Sequence, residues 1–364
     1  MNLFRRTLLK VALAACLLTS LTSAVASEKP ELPLKIGFVY VSPIGDAGWT
    51  YQHDLGRRAV ETAFGDRVRT KYVESVAEGA DAERVIRDFA ASGHQLVFTI
   101  SFGFMNPTLK VAKQFPKTMF EHATGYKQAP NVGIYAARYY EARYLAGIVA
   151  AKMSKTGIAG YVAAFPIPEV IMGINAFTQG MRSVNPAAQV KVIWVNAWFD
   201  PGKEREAALT LASQGADILT HHTDSTAVVQ TAEEKGVWSM GYHSDMSKYG
   251  PKMQLTAAVH HWEDFYRKKV QQALEGQWVP GNVWGGLKEG MVGLAPLNPA
   301  VPPEVAALVE ERKQAIMAGR LHPFQGPLAA QGGGQVVAPG AVLDDAALLK
   351  MNYYVEGVVG QLPK

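Results

Sequence analysis

Leu34-Lys35-Ile36-Gly37-Phe38-Val39-Tyr40-Val41 is a near-continuous apolar run, followed at once by Ser42-Pro43-Ile44-Gly45-Asp46-Ala47-Gly48-Trp49-Thr50. Such a run, closed by Gly and Pro, is what a strand buried on both faces of a parallel sheet requires. Tyr51–Phe64 then reads as a helix. Strand, loop and helix in that order form one βα unit of a doubly wound sheet. That places any ligand beyond the carboxyl ends of the strands, against the loops. Trp49 stands in this first loop, where an indole suits stacking on a flat, polar-edged ligand as well as covering a sheet edge.

The unit recurs. Val68–Glu74 reads as a strand and Asp81–Ser92 as an amphipathic helix with Val85, Phe89 and Ala90 inward. Leu96–Ser101 is a strand, Pro107–Phe115 a helix, and Thr118–Ala123 and Val132–Ala137 are strands before a helix at Tyr139–Lys152. A second series places strands at Gly157–Phe165, Val190–Val195, Ile218–His222 and Trp238–Tyr242. Its helices are Ile171–Val184, Lys203–Gln214 and Ser225–Lys235. Leu255–Val259 reads as the return to the first series, with Glu263–Leu274 as its helix. At 364 residues the chain exceeds one ordinary core. Two successive series imply an α/β fold of two doubly wound, Rossmann-like lobes joined by a hinge, because right-handed crossovers turn both sets of strand ends toward one cleft. The first lobe is expected over 33–137 plus about 256–285 and the second over 138–255 plus about 286–364, with hinge crossovers near Ala137 and Leu255. Gly326–Gly340, rich in Gly, Pro, Ala and Gln, reads as an exposed loop, and Asn352-Tyr353-Tyr354-Val355 as a segment that docks.

Residues 1–26 read as a signal peptide: Arg5, Arg6 and Lys10, then an apolar Val11–Leu21 too short to span a bilayer, then Ala24-Val25-Ala26 as the cleavage site. A periplasmic location follows. Arg5-Arg6-Thr7-Leu8-Leu9-Lys10 resembles a twin-arginine export signal, and Leu13-Ala14-Ala15-Cys16 resembles a lipoprotein box. Cleavage after Ala26 is preferred over a lipid anchor at Cys16, because the apolar stretch before Cys16 is very short and continues past it. Cys16 is the only cysteine, so the chain after Ala26 has no disulfide, thiolate nucleophile or cysteine–metal site. Part of the net charge of +4 lies in the first ten residues, and no basic stripe points to nucleic acid.

Polar and aromatic groups gather in the loops after the strands. They are Asp46, Trp49 and Thr50; Phe104; His122 and Thr124; Phe165; Trp198 and Asp200; Asp224; and Asp245. Several loops converging on one cleft is how a small-molecule site is assembled. There is no Gly-x-Ser-x-Gly elbow and no phosphate-cradling Gly-x-x-x-x-Gly-Lys-Ser/Thr. His221-His222 and His260-His261 are adjacent pairs, which on a strand point to opposite faces, so neither pair brings together the ligands zinc needs. No metal, no cofactor and no catalysis are expected. His221, His243 and His261 read as structural, whereas His222 and His260 stay open as ligand contacts. Asp200 and Asp224 each precede a helix, so capping competes with ligand binding at both; Asp245 precedes no helix and suits a ligand.

In order, these residues resemble the basic membrane protein family of substrate-binding proteins, which serve ABC importers and bind purine nucleosides or bases. The matching segments are Asp46-Ala47-Gly48-Trp49-Thr50, Tyr144-Leu145-Ala146-Gly147, Met153-Ser154-Lys155-Thr156-Gly157 and Asn185-Pro186. Trp198-Phe199-Asp200-Pro201, Gly215-Ala216-Asp217-Ile218, His221-His222-Thr223 and Gly241-Tyr242-His243-Ser244-Asp245 also match, so the resemblance runs from about Lys35 to Pro296. It implies a type I periplasmic binding protein with a three-strand hinge, a small-molecule purine ligand and an ABC permease in the inner membrane as partner; a monomer is expected. In that family an aromatic in the first loop and another before an Asp-Pro pair sandwich the base; these positions are Trp49 and Trp198, both Trp where Phe is usual. The base-recognising acid of the family falls at Thr124, or near Glu121 and His122, its ribose lysine near His260, and its ribose-binding Asp at Asp245. The departures at Thr124 and His260 suit a ligand without ribose, a free base such as adenine. The alternatives are an intact nucleoside (adenosine, inosine or guanosine) and a periplasmic nucleoside hydrolase, against which the missing catalytic constellation counts.

Overall fold

The computed structural model describes residues 31–363, so the expected signal peptide, Cys16 included, lies outside the described residues. Among the described residues two sheets hold β1 (Leu34–Val39), β2 (Val68–Val73), β3 (Leu96–Thr99), β4 (Met119–Ala123), β5 (Val132–Ala137), β6 (Ile158–Ala163), β7 (Gln189–Trp194), β8 (Ile218–His222), β9 (Trp238–His243), β10 (Gln254–His260), β11 (Asn282–Gly285) and β12 (Val292–Leu294). The first sheet runs β11-β5-β4-β3-β1-β2 and the second β12-β10-β9-β8-β6-β7, extended past β7 by a terminal strand at Val358–Val359. Pairing is parallel in both sheets except at β10–β12. The helices are α1 (Trp49–Phe64), α2 (Ala80–Ala91), α3 (Met105–Gln114), α4 (Tyr139–Met153), α5 (Pro168–Arg182), α6 (Pro201–Ser213), α7 (Ala227–Lys235), α8 (Glu263–Leu274) and α9 (Pro303–Met317).

The near-continuous apolar strands follow from burial on both faces. Ile36, Phe38 and Tyr40 point toward the core that includes Val60 of α1 and Tyr266 of α8. Val39, Val97 and Phe120 point the other way, into a core with Val85, Ile86 and Phe89 of α2 and Val111 of α3. The strand order reverses beside β1 in the first sheet and beside β6 in the second, so the loops after these strands open into the space between the lobes.

Two expectations need correction. Leu255–Val259 does not return to the first lobe: β10 pairs in parallel with β9, so the whole strand belongs to the second sheet. A doubly buried apolar strand looks alike in either sheet, and only its long-range partner decides membership. The chain instead crosses between lobes after β5, between β10 and α8, and between β11 and β12. Gly326–Gly340 is not simply an exposed loop either. Leu328 and Val337 are buried on a two-strand ribbon, and only its tip at 331–335 is exposed. The expected docking segment does dock: Asn175 of α5 donates to the Tyr353 carbonyl (2.8 Å) and accepts from Val355 N (3.1 Å).

Candidate functional site

A narrow cavity of about 30 Å³ lies between the lobes. Val41, Trp49, Ile100, Ser101, Phe102 and Thr124 wall it from the first lobe, and Glu169, Trp198, His222, Thr223, Asp224 and His243 from the second. Four expected site residues, Trp49, Thr124, Trp198 and Asp224, therefore line one cavity, two from each lobe. Thr124 (φ +61°) and His243 (φ +68°) both hold a left-handed backbone that non-glycine residues seldom adopt, and such strain concentrates at ligand sites.

The lobes touch around this cavity. Gly48 ends the first loop and its side of α1 has no capping side chain of its own. Asp224, from the loop after β8, supplies that cap from the other lobe: it accepts from Trp49 N and Ser42 Oγ, and from Thr50 Oγ1 at 3.4 Å. A carboxylate at a helix N-terminus satisfies orphan N–H groups and meets the positive end of the helix dipole. Gly48 has φ +98°, and a Cβ there would strike the Asp224 carboxylate, so only glycine permits this approach. Buried Glu204 holds the loop that presents Asp224, accepting from Thr223 Oγ1 (2.8 Å) and Ser225 Oγ (2.6 Å). Burial pushes the Asp224 carboxyl up to about 7. Gly48 N donates to Ser244 Oγ (2.7 Å), and at the exposed rim Asp46 is bound by Lys248 and Tyr249, so three further inter-lobe contacts surround the latch.

The two indoles differ in how they are held. Trp49 is 8% exposed, its Nε1 donating to the Ile100 carbonyl (2.6 Å), and it stands edge-on to His53, His243, His260 and Trp262. Trp198 is half-buried, packs against Phe165 at 5.0 Å between ring centroids, and donates from Nε1 to Glu78 Oε1 (3.0 Å) across the cleft. Glu78 also accepts from Gly103 N (3.0 Å) and Ser101 Oγ.

Glu169, in the first turn of α5, is a wall residue that sequence reading missed; an acidic residue after Pro168 looks like ordinary helix-start chemistry. Burial pushes its carboxyl up to about 8. His222 Nε2 lies 3.6 Å from Glu169 Oε1, beyond hydrogen-bond range, and burial holds both His222 and His243 far below the usual imidazole range, so both are neutral. His222 Nδ1 and His243 Nδ1 are buried without a partner among the described residues, and His222 Nδ1 faces Gly173 of α5.

Other expected residues lie off the cavity wall. Phe104 is buried in the core between α2 and α3. His122 is buried with Nδ1 bonded to Thr99 Oγ1 (3.0 Å). Asp200 caps its own helix α6, accepting from Lys203 N at 3.0 Å, whereas Asp224 does not cap the following α7. Asp245 accepts from Gln254 Nε2 (2.8 Å) and Ser247 N (2.9 Å). His260 is buried between Tyr139, Tyr242 and Trp49, one layer behind the wall. Thr50 bonds Ser42 (2.6 Å) and the Asp224 latch, and Asp46 serves at the rim. Among the described residues no three metal-binding side chains converge, and no helix is long and apolar enough to cross a membrane.

Two doubly wound lobes, three crossovers and a cavity at the strand ends define a type I periplasmic binding architecture. The chain belongs to the family described as ABC transporter substrate-binding protein PnrA-like, whose family model matches residues 34–320. Members of this family are binding proteins, not enzymes. The chain is 52% identical to a purine-binding protein of Brucella abortus over 94% of its length and 96% of that protein's. It is 40% identical to a putative ABC transporter glucose-binding protein of Haloferax volcanii, over 90% of this chain and 80% of that one. Among solved structures, an ABC transporter solute-binding protein from Aeropyrum pernix superposes with a TM-score of 0.70 at 22% identity, covering 87% of this chain and 95% of that one.

Proposed function

We propose that the protein captures a free purine base, adenine foremost, between Trp49 and Trp198, and delivers it as a periplasmic monomer to an ABC permease in the inner membrane. The observation that carries this is the position of the two indoles on one small cavity, one from each lobe. The cavity is narrow, about 30 Å³ against roughly 300–1,000 Å³ for ligand pockets, so the two lobes part to admit a base. A flat heterocycle fits indole walls, and the His222 and His243 rings stand on the same cavity. The Brucella relative, named a purine-binding protein, points the same way.

A purine nucleoside is the second reading. A neighbouring space of about 350 Å³, lined by Tyr139, Tyr140, Arg138 and Trp284, shares Phe102, Thr124 and Glu169 with the cavity and gives a sugar somewhere to go. Calorimetry with adenine, hypoxanthine, guanine, adenosine and glucose tests both. Binding of a base at least tenfold tighter than of adenosine supports the proposal. Tighter adenosine binding favours the second reading, and binding of glucose alone overturns both.

A further inference from the structure

Two carboxyl groups stand on the cavity wall, and they are used differently. The oxygens of Asp224 are spent on Ser42, Thr50 and Trp49 N. Glu169 makes no side-chain hydrogen bond among the described residues, and 17% of its side-chain surface is open where it lines the cavity. Beside it, His222 is 2% exposed and His243 4% exposed, each with Nδ1 unpartnered. Unspent hydrogen-bonding groups of this kind are costly unless a ligand or water answers them.

We infer that Glu169 reads the edge of the bound base: its neutral carboxyl donates through O–H to a ring acceptor and accepts from the adjoining N–H, selecting an edge that carries an acceptor beside a donor. This rests on the proposal that the cleft holds a purine. Adenine offers N1 beside its 6-amino group, and hypoxanthine offers O6 beside N1–H. Guanine offers in addition a two-donor edge, N1–H beside the 2-amino group, which fits an ionised carboxylate. The protonation of Glu169 therefore sets the preference among bases.

The surroundings keep that carboxyl neutral. His222 from β8 is uncharged. Tyr139 at the start of α4 and Tyr242 from β9 are held far above the usual phenol range, chiefly by burial and in part by Glu169 itself, so both are neutral. Arg143 of α4 is committed to Thr220 Oγ1 (3.1 Å), the His221 carbonyl and the Tyr242 ring, 3.4 Å from its centroid. His243 and His260 are uncharged, and Asp224 faces the same cavity with its own raised carboxyl.

Calorimetry of the full-length mature protein with adenine and guanine across pH 6 to 9, on the parent and on Glu169→Gln and Glu169→Ala, decides it. With a carboxyl titrating near 8, adenine affinity is expected to fall about tenfold between about pH 7 and about pH 9, and guanine affinity to hold or rise. Glu169→Gln, whose amide keeps one donor and one acceptor, is expected to bind adenine with that slope gone, which a merely structural role would not produce. Glu169→Ala should weaken adenine about tenfold or more throughout, in line with leaving polar groups of the base unanswered. A parent slope that survives in Glu169→Gln, or equal slopes for adenine and guanine in the parent, overturns the inference while leaving purine binding intact. Failure of the parent to bind any purine overturns the functional proposal itself.

Discussion

Trp198→Ala is the cleanest perturbation of the proposed stack. Trp198 is half-buried and packs on the edge of the core rather than within it, so its removal is expected to leave the fold in place. Two losses are expected. Stacking of a base on an aromatic side chain is worth about 1–3 kcal/mol. The hydrogen bond from Trp198 Nε1 to Glu78, which exists only with the lobes together, adds about 0.5–1.5 kcal/mol. The sum, about 1.5–4.5 kcal/mol, corresponds to roughly ten- to a thousandfold weaker adenine binding. Trp198→Phe keeps a stacking face and loses only the N–H, so about two- to tenfold is expected. Phe199→Ala, an exposed neighbour off the cavity wall, serves as the control. Trp262 does not serve: it is fully buried, stacks on His53 at 4.8 Å and meets the edge of Trp49, so truncating it would disturb the wall. Calorimetry on the three variants gives the order. Parent-like adenine affinity in a folded Trp198→Ala protein would refute the stack.

Asp224→Ala removes the inter-lobe cap of α1, and ligand affinity is expected to drop about tenfold or more while X-ray scattering shows a more open ligand-free form; unchanged scattering and affinity would sink the latch. Lys269→Met strands the buried Glu121, which keeps only the Trp278 N–H (2.8 Å) of its two partners, and should cost about 3–5 kcal/mol in denaturant unfolding with adenine affinity unaltered, since neither residue lines the cavity. Burial raises the carboxyls of Asp224 to about 7 and Glu169 to about 8, whereas unfolded carboxyls titrate near about 4. Above about pH 7, where the buried histidines are neutral in both states, the folded chain still holds protons that the unfolded chain has released, and the melting temperature of the ligand-free protein should fall from about pH 7 to about pH 9; a rise across that window would contradict the burial argument.

The sequence alone carried the βα alternation, because it is written in local periodicity: the apolar strands, the inward face of α2 at Val85 and Phe89, and the span of α8 are each visible within a short window. It also carried Trp49 and Trp198 as a pair, through the motifs around them. Sheet membership of β10 was not legible, since Leu255–Val259 is apolar enough for either lobe and pairing is long-range. Nor were β11 and β12, strands of four and three residues too short to show a period. Asp200 and Asp224 read alike, each an acid before a helix, yet one caps its own helix and the other reaches across the cleft to cap α1. Glu169 looks like an ordinary first-turn acid until the tertiary fold half-buries it on the cleft wall. Local pattern determined the elements. The meeting of two lobes decided which polar groups lose solvent, and in this protein that desolvation turns ordinary caps and loop residues into a latch and a candidate reader of the ligand.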